Sequence, residues 1–251
     1  MTQESILAVK GLEKNFGGVI AAHNISLEIK PREQIAIIGS NGAGKTTFVN
    51  MVTGYIKPSA GAILFRGKDI TGLDPRKTAL QGIRRSFQIA QIFPKLTVLE
   101  NMIVADAAAE SSVSLWASSL TSRRIDEARQ MLEHFGLSEI EKELAGTLPQ
   151  GVRKKLDIAM ASVGKPEIML LDEPTSGVSV DEKMEMMEQV IVPLKAINAT
   201  ILFIEHDVSI VRHYAHRVIA FYEGTILADG DVNSVLENDK VQNYVIGKSY
   251  A

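Results

Sequence analysis

The chain has 251 residues, 45% of them hydrophobic, enough to build the core of one large α/β domain or two small ones. With 27 Lys and Arg against 30 Asp and Glu, the formal net charge of −3 gives no support to a nucleic-acid-binding role, despite basic clusters at Arg84-Arg85 and Arg153-Lys154-Lys155. The absence of cysteine excludes disulfides and thiolate chemistry, and no stretch approaches the roughly 18 apolar residues that a membrane-spanning helix needs.

Met1-Thr2-Gln3-Glu4-Ser5 carries neither the basic run nor the apolar stretch of a secretion signal, so the expectation is a non-secreted chain. Residues 6–9, 20–22 and 26–29 read as short strands separated by turns at Gly11, Gly17-Gly18 and Pro31. The apolar run Ile35-Ala36-Ile37-Ile38 suits a buried parallel strand. It leads into Gly39-Ser40-Asn41-Gly42-Ala43-Gly44-Lys45-Thr46-Thr47. This segment fits Gly-x4-Gly-Lys-[Ser/Thr], a loop whose backbone N–H groups wrap a polyphosphate while the lysine neutralises it. Phe48, Val49, Val52 and Tyr55 then recur at helical spacing. The loop therefore joins a strand to a helix, whose N-terminus favours anions. A glycine-rich turn with an incidental lysine is the competing explanation, but the fixed positions of the motif coincide by chance in roughly 1% of chains this long. The segment predicts a nucleoside triphosphate site.

A further strand at 62–65 follows the breakers Pro58 and Gly61. Thr97-Val98-Leu99-Glu100 has capping-box spacing and opens a helix ending near Ala108. The serine-rich stretch 111–122, which holds Trp116, is either an exposed loop or an apolar tip for a partner. From Ser122, the residues Ile125, Ala128, Leu132 and Phe135 keep one helical face until Gly136, and another helix is expected over 149–163. The stretch from about 90 to 160 is thus mainly helical. A second buried strand follows at 168–171, and Ser179-Val180-Asp181-Glu182 caps a helix ending near Ile197. Strands at 200–204 and 218–222 come next, the latter turning at Glu223-Gly224. Alternating strands and helices predict an α/β fold with a mainly parallel, helix-covered sheet.

Ile168-Met169-Leu170-Leu171-Asp172-Glu173 ends a buried strand in two adjacent carboxylates, at the edge where α/β sheets place ligands. Asp172 can hold the water shell of Mg²⁺ that Thr46 binds through its hydroxyl. Glu173 can orient and deprotonate a water for in-line attack on a γ-phosphate. Two solvated acids before a turn is the alternative, weakened by the loop at 39–47. Ile201-Leu202-Phe203-Ile204-Glu205-His206-Asp207 repeats the layout with a histidine at the strand end. Such a histidine is often only a polar terminus, yet here it could reach the γ-phosphate. Gln88, after Arg84-Arg85-Ser86-Phe87, could be a neutral Mg²⁺ or water ligand, or an ordinary surface glutamine.

Over nearly its whole length, the chain resembles the ATPase subunit of ABC transporters. Phe16-Gly17 is similar to the adenine-stacking loop, 39–47 to the P-loop, and Gln88 to the glutamine loop. Leu148-Pro149-Gln150-Gly151-Val152 stands at the signature position, Asp172-Glu173 at the Walker carboxylates, Ser176-Gly177-Val178-Ser179 at the loop after them, and His206 at the switch histidine. Asp69-Ile70, Phe87-Gln88 and the run from Phe93 to Asn101 most resemble the branched-chain amino-acid importer subgroup. The resemblance implies one ABC-type ATPase domain over 1–251, with a P-loop core, an antiparallel β subdomain and a helical subdomain at about 90–160. It implies ATP held by Phe16 and by Gly39, Ser40, Asn41, Gly42, Ala43, Gly44, Lys45, Thr46 and Thr47. Mg²⁺ would be managed by Thr46, Gln88 and Asp172, with Glu173 as base and His206 as γ-phosphate sensor. Implied partners are separate permease subunits, a second ATPase subunit in a head-to-tail dimer (the same chain or a related one) and an external substrate-binding protein. The implied location is the inner face of the cell membrane.

The chain departs from the family pattern in the signature. The usual Leu-Ser-Gly-Gly-Gln is Leu148-Pro149-Gln150-Gly151-Val152, so the serine hydroxyl that would donate to the partner's γ-phosphate is missing. Ser179 replaces the aspartate usual after the Walker carboxylates. Two alternatives follow. A soluble ABC-type ATPase of DNA repair or translation usually brings a coiled coil or fused ATPase domains. A nucleotide-binding scaffold without turnover is favoured by the altered signature but opposed by the intact Glu173 and His206.

Overall fold

A computed structural model describes residues 5–109 and 121–247, so the serine-rich stretch around Trp116 lies outside the described residues. In chain order the elements are β1 (Leu7–Phe16), β2 (Val19–Ile29), β3 (Gln34–Gly39), α1 (Lys45–Val52), β4 (Ala60–Phe65), β5 (Lys68–Asp69), α2 (Pro75–Gln81), β6 (Ile83–Arg85), α3 (Val98–Ala109) and α4 (Ser122–His134). Then follow α5 (Gln150–Ser162), β7 (Ile168–Asp172), α6 (Lys183–Ala196), β8 (Thr200–Ile204), α7 (Val208–Tyr214), β9 (Arg217–Tyr222), β10 (Thr225–Asp231), α8 (Val232–Leu236) and α9 (Asp239–Val241), which runs on as a turn of π-helix, Gln242–Ile246. They form two compact units, one of Met1–Gln81 with Thr200–Ala251 and one of Gly82–Ala199. Among the described residues no helix is long and apolar enough to cross a membrane.

In the first unit, β2, β1, β4 and β5 make an antiparallel sheet in that order. β1 and β2 pair from Leu7↔Ile29 to Phe16↔Val19 as one long hairpin, where the sequence suggested short strands broken at Gly11. Gly11, at φ 55, does not end the strand. It is absorbed as an irregularity between Val9 and Leu12, and its N–H donates to Ser26 Oγ at 2.8 Å. Beside this sheet in sequence but distinct in pairing, β3 runs parallel to β8 on one side and to β9 on the other, and β10 adds to β9 antiparallel. All of β3 and β8 is buried, which is why both read as unbroken apolar runs. Helix α1 buries Phe48, Val49, Met51 and Val52, and the Phe48 ring lies 5.4 Å from that of Phe221 on β9.

The second unit pairs β6 with fully buried β7 in parallel, Ile83 opposite Ile168, and packs α5 against both strands, α3 and α6 against α5, and α4 against α3. The capping box at the start of α3 forms as the spacing predicts: Thr97 N–H donates to Glu100 Oε2 at 2.7 Å, and Glu100 N–H to Thr97 Oγ1 at 3.2 Å. Gly136, at φ 61, closes the turn after α4. Helix α5 starts at Gln150 with Pro149 as its N-cap, one residue inside the expected start.

Candidate functional site

In the first unit the loop at 39–47 is built by the close approach of three backbone segments. Gly44, at φ 100, is the N-cap of α1, and a Cβ there would lie 2.8 Å from the Ala21 carbonyl oxygen and 3.1 Å from Gly224 Cα. Gly224 N–H in turn donates to the Ala43 carbonyl at 3.0 Å, and His23 N–H to the Gly224 carbonyl at 2.8 Å. The loop is thus fastened to the β9–β10 turn and to β2. As N-cap, Gly44 brings no side chain to the start of α1, and a helix N-terminus favours an anion. Lys45 Nζ donates to the carbonyls of Gly39 (2.6 Å) and Ser40 (3.0 Å), which holds the ammonium over its own loop. Thr46 presents its side chain to solvent.

Phe16 ends β1 with 48% of its surface exposed, next to exposed Val19 and Ile20, and Lys14 Nζ lies 5.0 Å from its ring centroid. This is a flat, accessible aromatic face suited to stacking. His206 is exposed just after β8 and lines a cavity of about 230 Å³ together with Gly39, buried Glu205 and the C-terminal Val245 and Ile246. The fold therefore brings His206 to the same cavity as the first glycine of the loop.

In the second unit, Asp172 ends β7 and pairs with Arg85 of β6, both side chains only 7% exposed. Glu173 follows in a left-handed backbone conformation, φ 46, and its Oε2 accepts from the Gln88 side-chain amide at 2.9 Å. Gln88 is exposed, and its amide sits on the candidate base. The stretch 87–91 that carries it is gripped by α5. Lys154 Nζ donates to the carbonyls of Phe87, Gln88 (3.2 Å) and Asp172 (2.6 Å). Asp157 accepts from the N–H groups of Phe87 (3.1 Å) and Gln91 (2.9 Å). Burial pushes the Asp157 carboxyl above its ordinary range, against the pull of those N–H groups and of the Lys154 charge.

The signature segment lies one turn earlier on the same helix. Leu148 is buried, and Gln150 lays its carboxamide over Gly177, where any Cβ would collide with the Gln150 Cδ. A Cβ on Gly151 would meet Val178 Cγ2 at 3.0 Å. Gln150 also lines a cavity of about 210 Å³ with Gln88, Ile89, Arg153 and Ser176. Pro149 and Val152 border a second cavity of about 320 Å³ on the α6 side.

Arg85, Lys154 and Asp157 do not stand out as site residues by their sequence pattern; the first two figure there only as parts of basic clusters. The one local signal is the spacing of Lys154 and Asp157, which puts both on one helical face. Among the described residues no group of His, Asp and Glu side chains could cage a metal ion. Mg²⁺ needs no such cage, because it keeps waters and takes substrate phosphate oxygens with one or two protein donors. Each unit has oxygen donors of that kind: the solvent-facing Thr46 hydroxyl in the first, and the Gln88 amide and Asp172 carboxylate in the second.

Residues 22–176 match the family described as "ABC transporter". The "High-affinity branched-chain amino acid transport ATP-binding protein LivG" of Salmonella typhimurium is 36% identical over 254 residues, covering 98% of this chain and 99% of that protein. The "High-affinity branched-chain amino acid transport ATP-binding protein BraF" of Pseudomonas aeruginosa is 32% identical over 251 residues, covering 97% and 98%. Among solved structures, a nucleotide-free ATP-binding cassette from an ABC transporter superposes with a TM-score of 0.85 at 30% identity, covering 95% of this chain and 98% of that one. An ATP-binding cassette in its ADP conformation gives 0.84 at 31%, covering 94% and 96%.

Proposed function

The chain belongs to the ABC transporter family, and from that premise we propose that it is the ATPase subunit powering import of branched-chain amino acids through a membrane transporter. The observation that supports this reading most directly is the loop at 39–47, where the N-terminus of α1 behind Gly44 and a tethered Lys45 offer a ready cradle for a polyphosphate. Incoming phosphates draw Lys45 Nζ from the Gly39 and Ser40 carbonyls, and Phe16 stacks on the adenine. Thr46, Gln88 and Asp172 would hold Mg²⁺, which when bound neutralises charge on the β- and γ-phosphates. Glu173 takes a proton from the attacking water, and Gln88 orients the Glu173 carboxylate and that water. His206 donates to the γ-phosphate.

The partners in this reading are separate permease subunits, a second ATPase subunit facing this one head to tail, and an external substrate-binding protein. The subunit works on the inner face of the cell membrane. The test is ATP turnover by the chain assembled with its permease subunits, with Lys45→Ala alongside. Turnover that rises with the external amino acid and disappears in Lys45→Ala supports the reading. Tight ATP binding with no turnover under any condition would instead favour the nucleotide-binding scaffold, to which the altered signature over Gly177 lends its one structural argument.

A further inference from the structure

We propose that Lys154 and Asp157 of α5 are positioning residues for hydrolysis, which grip the backbone on either side of Gln88 and so keep its amide on the Glu173 carboxylate. The inference rests on the ATPase reading and adds to it two residues and a route by which the signature segment reaches the base.

Lys154 is 2% exposed, an unusual place for an ammonium, since burying one is costly unless every donor is used. Here the need is met: an ammonium has three N–H donors, and the carbonyls of Phe87, Gln88 and Asp172 accept from Lys154. No local pairing requires this arrangement, because the acceptors lie far away in sequence. Asp157 completes it from the next turn, taking the N–H groups of Phe87 and Gln91. The short stretch carrying Gln88 is therefore held through both its carbonyls and its N–H groups by one helix. The same lysine bonds the carbonyl of Asp172, immediately before Glu173. The two ends of the Gln88–Glu173 bond are thus tied to one side chain.

Helix α5 also carries Gln150 and Gly151 in its first turn. A shift of α5 when a partner engages that turn must move Lys154 and Asp157, and with them the glutamine on the base. A plain structural role for the buried pair would give a different pattern on mutation: lost stability and weaker ATP binding, unconnected to Gln88.

The experiment uses the full chain assembled with its membrane subunits. In Lys154→Met, kcat for ATP should fall about tenfold or more while KM stays within about twofold. Combined with Gln88→Ala, Lys154→Met should cost little beyond what Gln88→Ala costs alone, because the clamp then holds nothing that acts. Unchanged kcat, or a loss that adds in full to that of Gln88→Ala, overturns the proposal. If Lys154→Met does not fold, the nearly isosteric Asp157→Asn takes the same measurements under the same criteria. Lys45→Ala separates the two possible failures. If it hydrolyses ATP like the natural chain, the ATPase reading falls; if it is inactive while Lys154→Met is unaffected, only the clamp is overturned.

Discussion

The side-chain amide of Gln88 donates to Glu173 Oε2 at 2.9 Å, so a neutral group from the stretch after β6 holds the carboxylate at the end of β7. The bond restrains the rotation of the carboxylate through a donor that carries no charge. A carboxylate held in one orientation can meet a water placed for in-line attack.

Glu173→Gln should retain ATP binding and lose turnover by about 10²–10⁴-fold, since the amide keeps the shape but accepts no proton. Phosphate release and nucleotide retained on the protein, measured on the same preparation, check both halves. Hydrolysis equal to that of the natural chain would remove Glu173 from the mechanism.

Lys45→Ala should abolish ATP binding in the physiological range, because the loop loses the point charge that would neutralise the β- and γ-phosphates. Equilibrium binding of a labelled nucleotide is the readout, with a thermal melt as control. Unchanged affinity would mean that the backbone amides alone hold the phosphates.

Arg85→Leu should destabilise the protein by about 3–5 kcal/mol, the usual consequence of removing one partner from a buried ion pair and leaving Asp172 uncompensated. Denaturant unfolding measures it. A loss under about 1 kcal/mol would show that water reaches Asp172 and that the pair is only a surface contact.

What is legible in the sequence follows the range of the forces involved. β3, β7 and β8 are legible because a strand covered on both faces is an unbroken apolar run. β6 is not: Ile83-Arg84-Arg85 has one apolar residue, and it is a strand because it pairs with β7 and because Arg85 finds Asp172 there. The hairpin of β1 and β2 looks fragmented in sequence because of Gly11, whose effect on the pairing is a local irregularity and not a break. At the site, the loop around Lys45 and the Asp172-Glu173 pair follow local motifs and are visible. The bonds of Lys154 to the Gln88 stretch span 66 and 67 positions, and no local pattern encodes them.

The stretch that Lys154 grips also bears an exposed apolar face: Ile89 is 79% exposed and Phe93 is half-exposed. The Phe93 backbone is meanwhile fixed by buried Asn101, which accepts from its N–H at 2.8 Å and donates to its carbonyl at 3.1 Å. A rigid backbone with an outward ring suits docking better than core packing. Cysteines placed at positions 93–96 should cross-link to a membrane subunit in the assembled complex. Labelling that reaches only other ATPase subunits would move the contact elsewhere.

The altered signature gives the last prediction. Gln150 covers Gly177 with its carboxamide, and Pro149 supplies no hydroxyl, so the donor that would meet a partner's γ-phosphate is lost while a side chain fills the space beside it. Two proteins that both carry Glu173→Gln are compared by sedimentation with ATP, one with the natural segment and one with Pro149→Ser and Gln150→Gly. A hydrogen bond to a charged group contributes about 1.5–3 kcal/mol and a head-to-tail dimer of this chain regains two, so the restored segment should tighten the ATP-bound dimer by roughly 10²- to 10⁴-fold. Glycine at 150 also uncovers Gly177, which frees that loop to meet the other subunit. Equal dimerisation would mean that the N–H groups at the start of α5 suffice for the phosphate, and that Gln150 serves packing against Gly177 and not closure.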